Sequence, residues 1–126
     1  MGTKIYTPIK PDWRWIAGFW EGDGSAGCYF YKRRHWIWHR SIVQLVQKDK
    51  EPLKIIKQMV GYGSLRLYKG SGFSKTNKYW KYSICSLQAL KFIKNILPFV
   101  KSKRRITQLQ KTLQDDSKFV NHEYNK

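Results

Sequence analysis

The sequence predicts an α+β fold in which a four-stranded antiparallel sheet carries helices on one of its faces. Two observations point to this class. Segments with helical periodicity alternate with pairs of aromatic and β-branched segments, in the order α-β-β-α-β-β-α-α. A turn or loop joins the members of each pair, which is typical of hairpins. With 126 residues, the chain is expected to form a single domain with its core at about residues 12–114 and a flexible tail at 115–126.

The first helix is predicted over Trp13–Gly22, with Asp12 as its N-cap and Gly24 ending it. Its residues are apolar nearly all round, and such a helix is expected to be buried on nearly all sides. Asp23 follows at the C-terminal end, where the helix dipole disfavours an anion. An acid in that place indicates an external cation.

Two glycines stand one turn apart in this helix, Gly18 and Gly22. Each costs about 1 kcal/mol relative to alanine in a helix interior. A Gly-x-x-x-Gly face allows two helix backbones to approach closely, so we expect a second helix to pack there. The alternative is tight packing within the chain.

The strands are predicted over residues 26–33 and 36–46 for the first hairpin, and Ser64–Lys69 and Lys78–Ile84 for the second. A long loop, GSGFSKTN, joins the second pair. Because side chains alternate across a strand, each strand offers one face to the core and the other to a partner.

Three further helices follow from caps and periodicity. One begins at Asp49 and Pro52 and ends at Gly61. The next is capped by Ser86 and ended by Pro98, with an inward stripe of Leu87, Leu90, Ile93 and Leu97. The last covers about residues 103–114.

The net charge of +17 needs a polyanion to neutralise it, and nucleic acid is the first candidate, an anionic membrane surface the second. Two cysteines, Cys28 and Cys85, are too few for a disulfide scaffold or structural zinc and are expected to be buried thiols. No apolar run is long enough to span a membrane, and residues 1–10 have no apolar signal core. We therefore expect an intracellular protein with no membrane partner.

Residues 16–24, IAGFWEGDG, resemble the signature of the LAGLIDADG homing endonucleases, with Trp20 in place of isoleucine and Glu21 as the first acid. The order of elements and the basic strands are also similar to that family, over about residues 12–114. The resemblance implies a LAGLIDADG-type α-β-β-α-β-β-α fold that cuts double-stranded DNA. It implies Mg²⁺ as the cofactor, for which Mn²⁺ or Ca²⁺ can substitute in binding, and no small-molecule cofactor.

The same resemblance implies the active-site residues. Asp23, with the carbonyl of Gly22, is expected to bind the metal. Gln47 matches a residue that organises active-site water, and Lys103 matches a lysine near the scissile phosphate. A further basic residue is not cleanly matched, and Lys48 or Lys50 are the alternatives. Glu21 is expected to support helix packing.

DNA contacts are expected from the strand residues in phase with the DNA-facing positions of the family. They are Tyr29, Tyr31, Arg33, Trp38, Arg40, Gln44, Arg66, Tyr68, Lys81 and Ser83. The arginines suit guanine and the glutamine suits adenine. Phosphate contacts are expected from Lys32, Lys69, Lys75, Lys78 and the Lys101–Arg105 cluster.

One motif per chain implies a homodimer, because cutting both strands takes two sites. Gly18, Gly22, Trp15 and Phe19 are the expected interface. A two-fold dimer would read a long (pseudo)palindromic target. The function implied is that of an intron-encoded homing endonuclease located wherever the DNA of its host intron resides. The alternatives are an RNA-binding maturase and a non-catalytic DNA-binding regulator.

Overall fold

The computed structural model describes residues 10–69 and 77–124, with side chains in the last helix as far as Lys118. The elements in chain order are α1 (Trp13–Asp23), β1 (Gly24–Arg33), β2 (Trp36–Gln47), α2 (Lys50–Val60), β3 (Ser64–Lys69), β4 (Lys78–Cys85), α3 (Ser86–Ile96) and α4 (Lys103–Tyr124). A 3-10 helix, Leu97–Phe99, follows α3. The predicted order of helices and strands is confirmed.

The four strands form one antiparallel sheet in the order β1-β2-β4-β3. The two hairpins therefore meet at β2 and β4, the second strand of each. In the register, Ala26 lies opposite Val43, which lies opposite Ile84 on its other side. Residues opposite one another point to the same face of a sheet, so this row defines the core face.

The core lies between this face and the helices. The strands contribute Ala26, Val43, Leu45, Tyr82 and Ile84, and the helices contribute Ile16, Ala17, Trp20, Leu53, Ile56, Ala89, Phe92, Ile93, Ile96 and Leu109. The predicted α+β architecture with helices packed on one face is thus confirmed.

Local capping explains where α1 and α2 begin and end. Asp12 accepts a hydrogen bond from the backbone N–H of Trp15, and Asp49 accepts one from Glu51. Gly61, at a φ of 90°, ends α2 in the left-handed conformation that glycine adopts without strain. α1 extends one residue beyond its predicted end, so that Asp23 is its last residue.

Two predictions for α3 are wrong. Cys85, not Ser86, is the N-cap residue, and it makes no side-chain capping bond. Leu87 does not face inward but is 80% exposed. The buried stripe contains Ala89, Phe92, Ile93 and Ile96, and Leu87 lies about 200° around the helix from Ala89. The most apolar residue of the first turn is therefore on the outer side.

The predicted end of the last helix near residue 114 is also wrong. α4 continues to Tyr124, although residues from 115 on were expected to form a flexible tail. Asp116 is buried, accepts a hydrogen bond from Ser41 Oγ at 2.8 Å and lies 2.9 Å from His39 Nε2. These contacts attach the fourth turn of α4 to β2, which explains why a polar sequence stays helical there.

The cysteines differ from the expectation of two buried thiols. Cys85 is exposed at the end of β4, and Cys28 is half-buried in β1. Burial raises the pKa of the Cys28 thiol above its ordinary value. Both thiols are free.

Most of the predicted loop between β3 and β4, including Lys75, lies outside the described residues. Within the described ranges, no helix has both the length and the apolar character of a membrane span.

A pair of leucines tests this packing. Leu109→Ala, at a side chain with 0% exposure, is expected to lower the free energy of unfolding by about 2–5 kcal/mol, because it leaves a cavity between α4 and the sheet. Leu87→Ala, on the outer side of α3, is expected to change it by less than about 0.5 kcal/mol. Urea denaturation measures both, and equal losses would contradict the placement of α3.

Candidate functional site

The two polar residues singled out at the ends of α1 and β2 are in contact. Gln47 Nε2 donates a hydrogen bond to Asp23 Oδ2 at 2.8 Å. Asp23 is the last residue of α1 and Gln47 is the last residue of β2. The C-terminal ends of this helix and this strand therefore meet. The described residues leave the second carboxylate oxygen, Oδ1, without a hydrogen-bond partner. This oxygen is exposed and free to bind a cation.

Asp23 lines an open cleft of about 510 Å³ that we call the Asp23 cleft. Its walls are Asp23, Val46, Gln47, Lys48, Asn77, Lys78 and Tyr79. Lys48 and Lys78 give the cleft positive charge beside a carboxylate, an arrangement suited to a phosphate group and a cation together. Of the two alternatives for the accessory basic residue, Lys50 lies elsewhere, with its Nζ 4.6 Å from the centre of the Trp80 ring. The geometry favours Lys48.

Glu21 takes part in packing, as the resemblance implied for the first acid. Its Oε1 accepts from the backbone N–H of Lys101 at 2.9 Å and its Oε2 from that of Ser102 at 3.0 Å. The carboxylate thereby satisfies two N–H groups of the segment that leads into α4. Glu21 is fully engaged within the chain.

Arg105 in α4 bonds back to the end of α1. The sequence predicted a phosphate contact for this residue, and the structure instead shows it in contact with the chain itself. Its Nε donates to the carbonyl of Glu21 at 3.1 Å, one Nη to that of Gly24 at 2.8 Å, and the other Nη to Gln108 Oε1 at 2.8 Å. The guanidinium also lies 4.8 Å from the centre of the Trp20 ring. Three of its five N–H groups thus bond to partners within the chain. Together, Glu21 and Arg105 form what we call the Glu21–Arg105 clamp.

Trp20 lies beneath this clamp and is fully buried. Its Nε1 donates to the carbonyl of Ser25 at 3.2 Å. A Cβ added to Gly24 would lie 2.2 Å from the Trp20 ring, so only glycine fits at the junction between α1 and β1. The close approach of backbone to indole explains this glycine, since its φ of −104° is open to any residue.

Lys103 is the first residue of α4 and is exposed. It is not among the described residues that line the Asp23 cleft. Lys101 instead lines a groove of about 800 Å³ along α1, together with Arg14, Gly18, Glu21, Gly22, Pro98, Phe99 and Val100. Of these two lysines, which are two residues apart in one basic stretch, only Lys101 lines this groove.

One face of α1 is left bare within the chain. A Cβ on Gly18 or Gly22 would meet no atom within 4 Å, which excludes tight packing within the described chain as the reason for these glycines. Trp15 beside them is 39% exposed, and Phe99 across the groove is 37% exposed. Phe19, the fourth expected interface residue, is half-buried and packs against the core and the Trp15 ring. The predicted burial of α1 is therefore confirmed on its Ile16 and Trp20 side, and on the glycine side it stays a prediction that needs a second helix.

Among the described residues, no helix packs on the sheet surface opposite the core, and we call this surface the open face. The register sets Tyr29 opposite Arg40, Tyr31 opposite Trp38, and Arg66 opposite Lys81. All ten strand residues expected to contact DNA lie in this phase: Tyr29, Tyr31, Arg33, Trp38, Arg40, Gln44, Arg66, Tyr68, Lys81 and Ser83.

Aromatic rings stack on one another on the open face. The rings of Tyr31 and Trp38 stack with centres 5.6 Å apart, and those of Tyr68 and Tyr79 at 5.7 Å. Lys81 Nζ lies 4.6 Å from the centre of the Tyr68 ring. The face therefore presents cations beside flat aromatic surfaces, which suits nucleic acid.

The donor set fits a hard divalent cation only in part. A carboxylate oxygen of Asp23 and the exposed backbone of Gly22 supply oxygen, the ligand type that Mg²⁺ and Ca²⁺ prefer. The described residues contain no cluster of three or more acidic, histidine or cysteine side chains that could enclose a metal. A cation at Asp23 would thus need further oxygens from a phosphate group, water or a second chain.

Comparison with solved structures shows the same fold. The chain resembles I-CvuI in complex with its target, with a TM-score of 0.68, 18% identity, and coverage of 88% of this chain and 69% of that one. It resembles the archaeal intron-encoded homing endonuclease I-Vdi141I complexed with DNA, with a TM-score of 0.66, 23% identity, and coverage of 90% and 72%. For the group I intron-encoded I-CeuI complexed with DNA, the values are 0.68, 18%, and coverage of 90% and 57%.

The chain thus spans between about half and three quarters of the length of these structures. No curated protein matches it significantly in sequence.

A family model described as LAGLIDADG endonuclease matches residues 16–120, from the first residue of the IAGFWEGDG motif into α4. The match includes both hairpins and the residues that surround Asp23. The chain therefore belongs to the LAGLIDADG endonuclease family.

Proposed function

We propose that this protein is a site-specific DNA endonuclease that acts as a homodimer, requires a divalent metal and is encoded within an intron. The observation that carries the proposal is the position of Asp23. Its carboxylate is oriented by Gln47 and lies at the end of the helix whose glycine face is bare. Intron encoding is proposed from the resemblance to I-Vdi141I and I-CeuI, which are described as intron-encoded.

Hydrolysis of a phosphodiester joins a water oxygen to phosphorus while the bond to the leaving oxygen breaks, and a proton passes to that oxygen. A bound Mg²⁺ would supply charge stabilisation and an acidified water. Asp23 and the Gly22 carbonyl are the proposed ligands. Gln47 holds Asp23 in one orientation and is available to order water in the Asp23 cleft. Lys103 is proposed to stabilise the negative charge that develops on the phosphate, with Lys48 as the accessory cation.

The proposed homodimer follows from the number of cleavage sites that one chain offers. A single chain offers one exposed carboxylate at the Asp23 cleft, whereas cutting two strands takes two sites. Two bare α1 faces packed through Gly18 and Gly22, with Trp15 and Phe19 alongside, would bring two Asp23 carboxylates together. Like charges this close repel unless cations lie between them, so dimer formation and metal binding would support each other.

Each open face would then lie in a major groove of double-stranded DNA, as two-stranded ribbons do in other DNA-binding proteins. Arg33, Arg40 and Arg66 are the proposed readers of guanine, and Gln44 of adenine. A two-fold dimer with two such faces suits a long pseudo-palindromic target.

Asp23→Asn is expected to abolish cleavage while DNA binding is retained, because the amide keeps the size of the side chain but loses the charge that holds a cation. Cleavage of targets selected from a randomised palindromic library, in Mg²⁺ and in EDTA, measures this. Asp12→Asn at the other end of α1 is the matched control, since asparagine caps a helix as well as aspartate. Undiminished cleavage by Asp23→Asn would remove Asp23 from the site. Tight binding without any cleavage by the wild-type protein would favour the maturase or regulator alternatives.

Gly18→Leu is expected to convert the dimer to monomer, because a leucine fills the space that a second α1 would occupy. Sedimentation velocity measures the oligomeric state. Gln110→Leu, on the exposed side of α4, adds the same side chain away from the proposed interface and is expected to leave the dimer intact. A dimer that persists in Gly18→Leu would place the interface elsewhere.

DNA binding is expected to weaken steeply with salt, because each neutralised phosphate contributes about 0.9 to the slope of log K against log salt. Lys81→Met removes one cation of the open face and is expected to reduce this slope by about 0.9. Lys91→Met removes an exposed cation of α3, in the helical layer, and is expected to leave the slope unchanged. Fluorescence anisotropy over a salt series measures the slopes, and the reverse pattern would assign DNA to the helical layer.

A further inference from the structure

The contacts of Arg105 lie on both sides of Asp23 in the sequence. The guanidinium donates to the carbonyl of Glu21, two residues before Asp23, and to that of Gly24, one residue after it. Both bonds join α4 to the end of α1 across more than 80 residues of chain. The backbone that carries Asp23 is therefore held at two points by one side chain from a different element.

The guanidinium has further partners besides these two carbonyls. Gln108 accepts from it, and the Gln108 amide in turn donates to the carbonyl of Ala26 at 3.0 Å. The flat ring of Trp20 lies beneath it. Because the planar fork of arginine loses little freedom per bond formed, such a site orients two carbonyls rigidly.

Arg105 also brings a positive charge to the end of α1. The last turn of α1 contains no basic residue, although its end carries the partial negative charge of the helix dipole and the carboxylate of Asp23. A guanidinium on the Glu21 and Gly24 carbonyls neutralises part of this local charge. It leaves the Gly22 carbonyl and Asp23 Oδ1 out of its own bonds, and so available to a cation.

The Glu21–Arg105 clamp closes a ring that includes Lys103. Glu21 holds the backbone N–H groups of Lys101 and Ser102, and Arg105 returns to the carbonyl of Glu21. Lys103 stands between these two attachments on the chain. The backbone of Lys103 is therefore attached to the end of α1 on both sides.

We infer that Arg105 is a positioning residue for the metal site, acting through the backbone on either side of Asp23. The inference rests on the proposed function for its link to catalysis. Without Arg105, the end of α1 would keep Asp23 but lose the fixed geometry of its carboxylate and of the Gly22 carbonyl. Arginine suits this position because its planar fork donates from separate nitrogens to both carbonyls and to Gln108, whereas the three donors of a lysine ammonium diverge from a single nitrogen.

The test compares Arg105→Met and Arg105→Lys with the wild-type protein. Terbium luminescence, excited through tryptophan, reports cation binding in the absence of DNA. Arg105→Met is expected to weaken Tb³⁺ binding by about 10- to 100-fold, the usual effect of removing a residue that orients a metal ligand. The Mg²⁺ concentration for half-maximal single-turnover cleavage is expected to rise similarly. The Kd for DNA in Ca²⁺-free buffer is expected to change less than about twofold, because the bonds of the Arg105 guanidinium are to groups within the chain. Arg105→Lys is expected to lie between the two.

Lys111→Met, which removes one exposed charge from the same helix, is the matched control and is expected to bind Tb³⁺ like the wild type. Circular dichroism and thermal unfolding verify that the variants are folded, and if Arg105→Met does not fold, Arg105→Lys alone carries the comparison. A folded Arg105 variant with wild-type Tb³⁺ and Mg²⁺ titrations would overturn the inference. So would a loss of DNA binding equal to the loss of cleavage, which would return Arg105 to the phosphate contacts. Absence of any cleavage by the wild type would defeat the proposed function, whereas the Tb³⁺ comparison would still decide the role of Arg105.

Discussion

The burial of one indole determines how the end of α1 is built. Trp20 fills the core between α1, the sheet and the start of α4, and it stands where the family signature has an aliphatic residue. Its size excludes any side chain at Gly24, and its N–H donates to the carbonyl of Ser25 at the start of β1. The Arg105 guanidinium lies 4.8 Å from the centre of its ring. Asp23 lies between Trp20 and Gly24 in the sequence, so its position depends on how the indole packs. The chain leaves α1 for β1 at a junction shaped by Trp20.

Much of the fold could be predicted because the signals are local. Asp12, Asp49 and Gly61 cap their helices as their residue types suggest. Alternation along the strands predicts which residues share a face, and the family resemblance indicates which of the two faces is the open face. The errors arose where a distant contact overrides a local pattern. Asp116 reaches back to Ser41 and His39 and extends α4 through a polar sequence, and the stripe through Ala89 and Ile93 turns Leu87 outward.

In the candidate site, too, some residues could be predicted from the sequence and others could not. Asp23 and Gln47 could be predicted from the resemblance, since each ends an element and the contact between them is a property of the fold. Arg105 could not be recognised, because a stretch with several neighbouring cations gives no sign of which one turns inward. Only the position of the Glu21 and Gly24 carbonyls distinguishes Arg105 from the exposed Lys103 and Arg104. Arg105 thus turns inward while Lys103 and Arg104 are exposed, because of the way in which α4 faces the end of α1.

The bare glycine face of α1 has a consequence for how activity depends on the concentration of the chain. If two chains must meet through Gly18 and Gly22 before two carboxylates face the DNA, the concentration of competent enzyme rises with the square of the chain concentration at low expression. A cell with few copies would hold mostly inactive halves, and activity would begin over a narrow range of synthesis rate. The absence of two β-carbons on one helix would then act as a dosage threshold that limits DNA cutting to the period when the gene is strongly expressed.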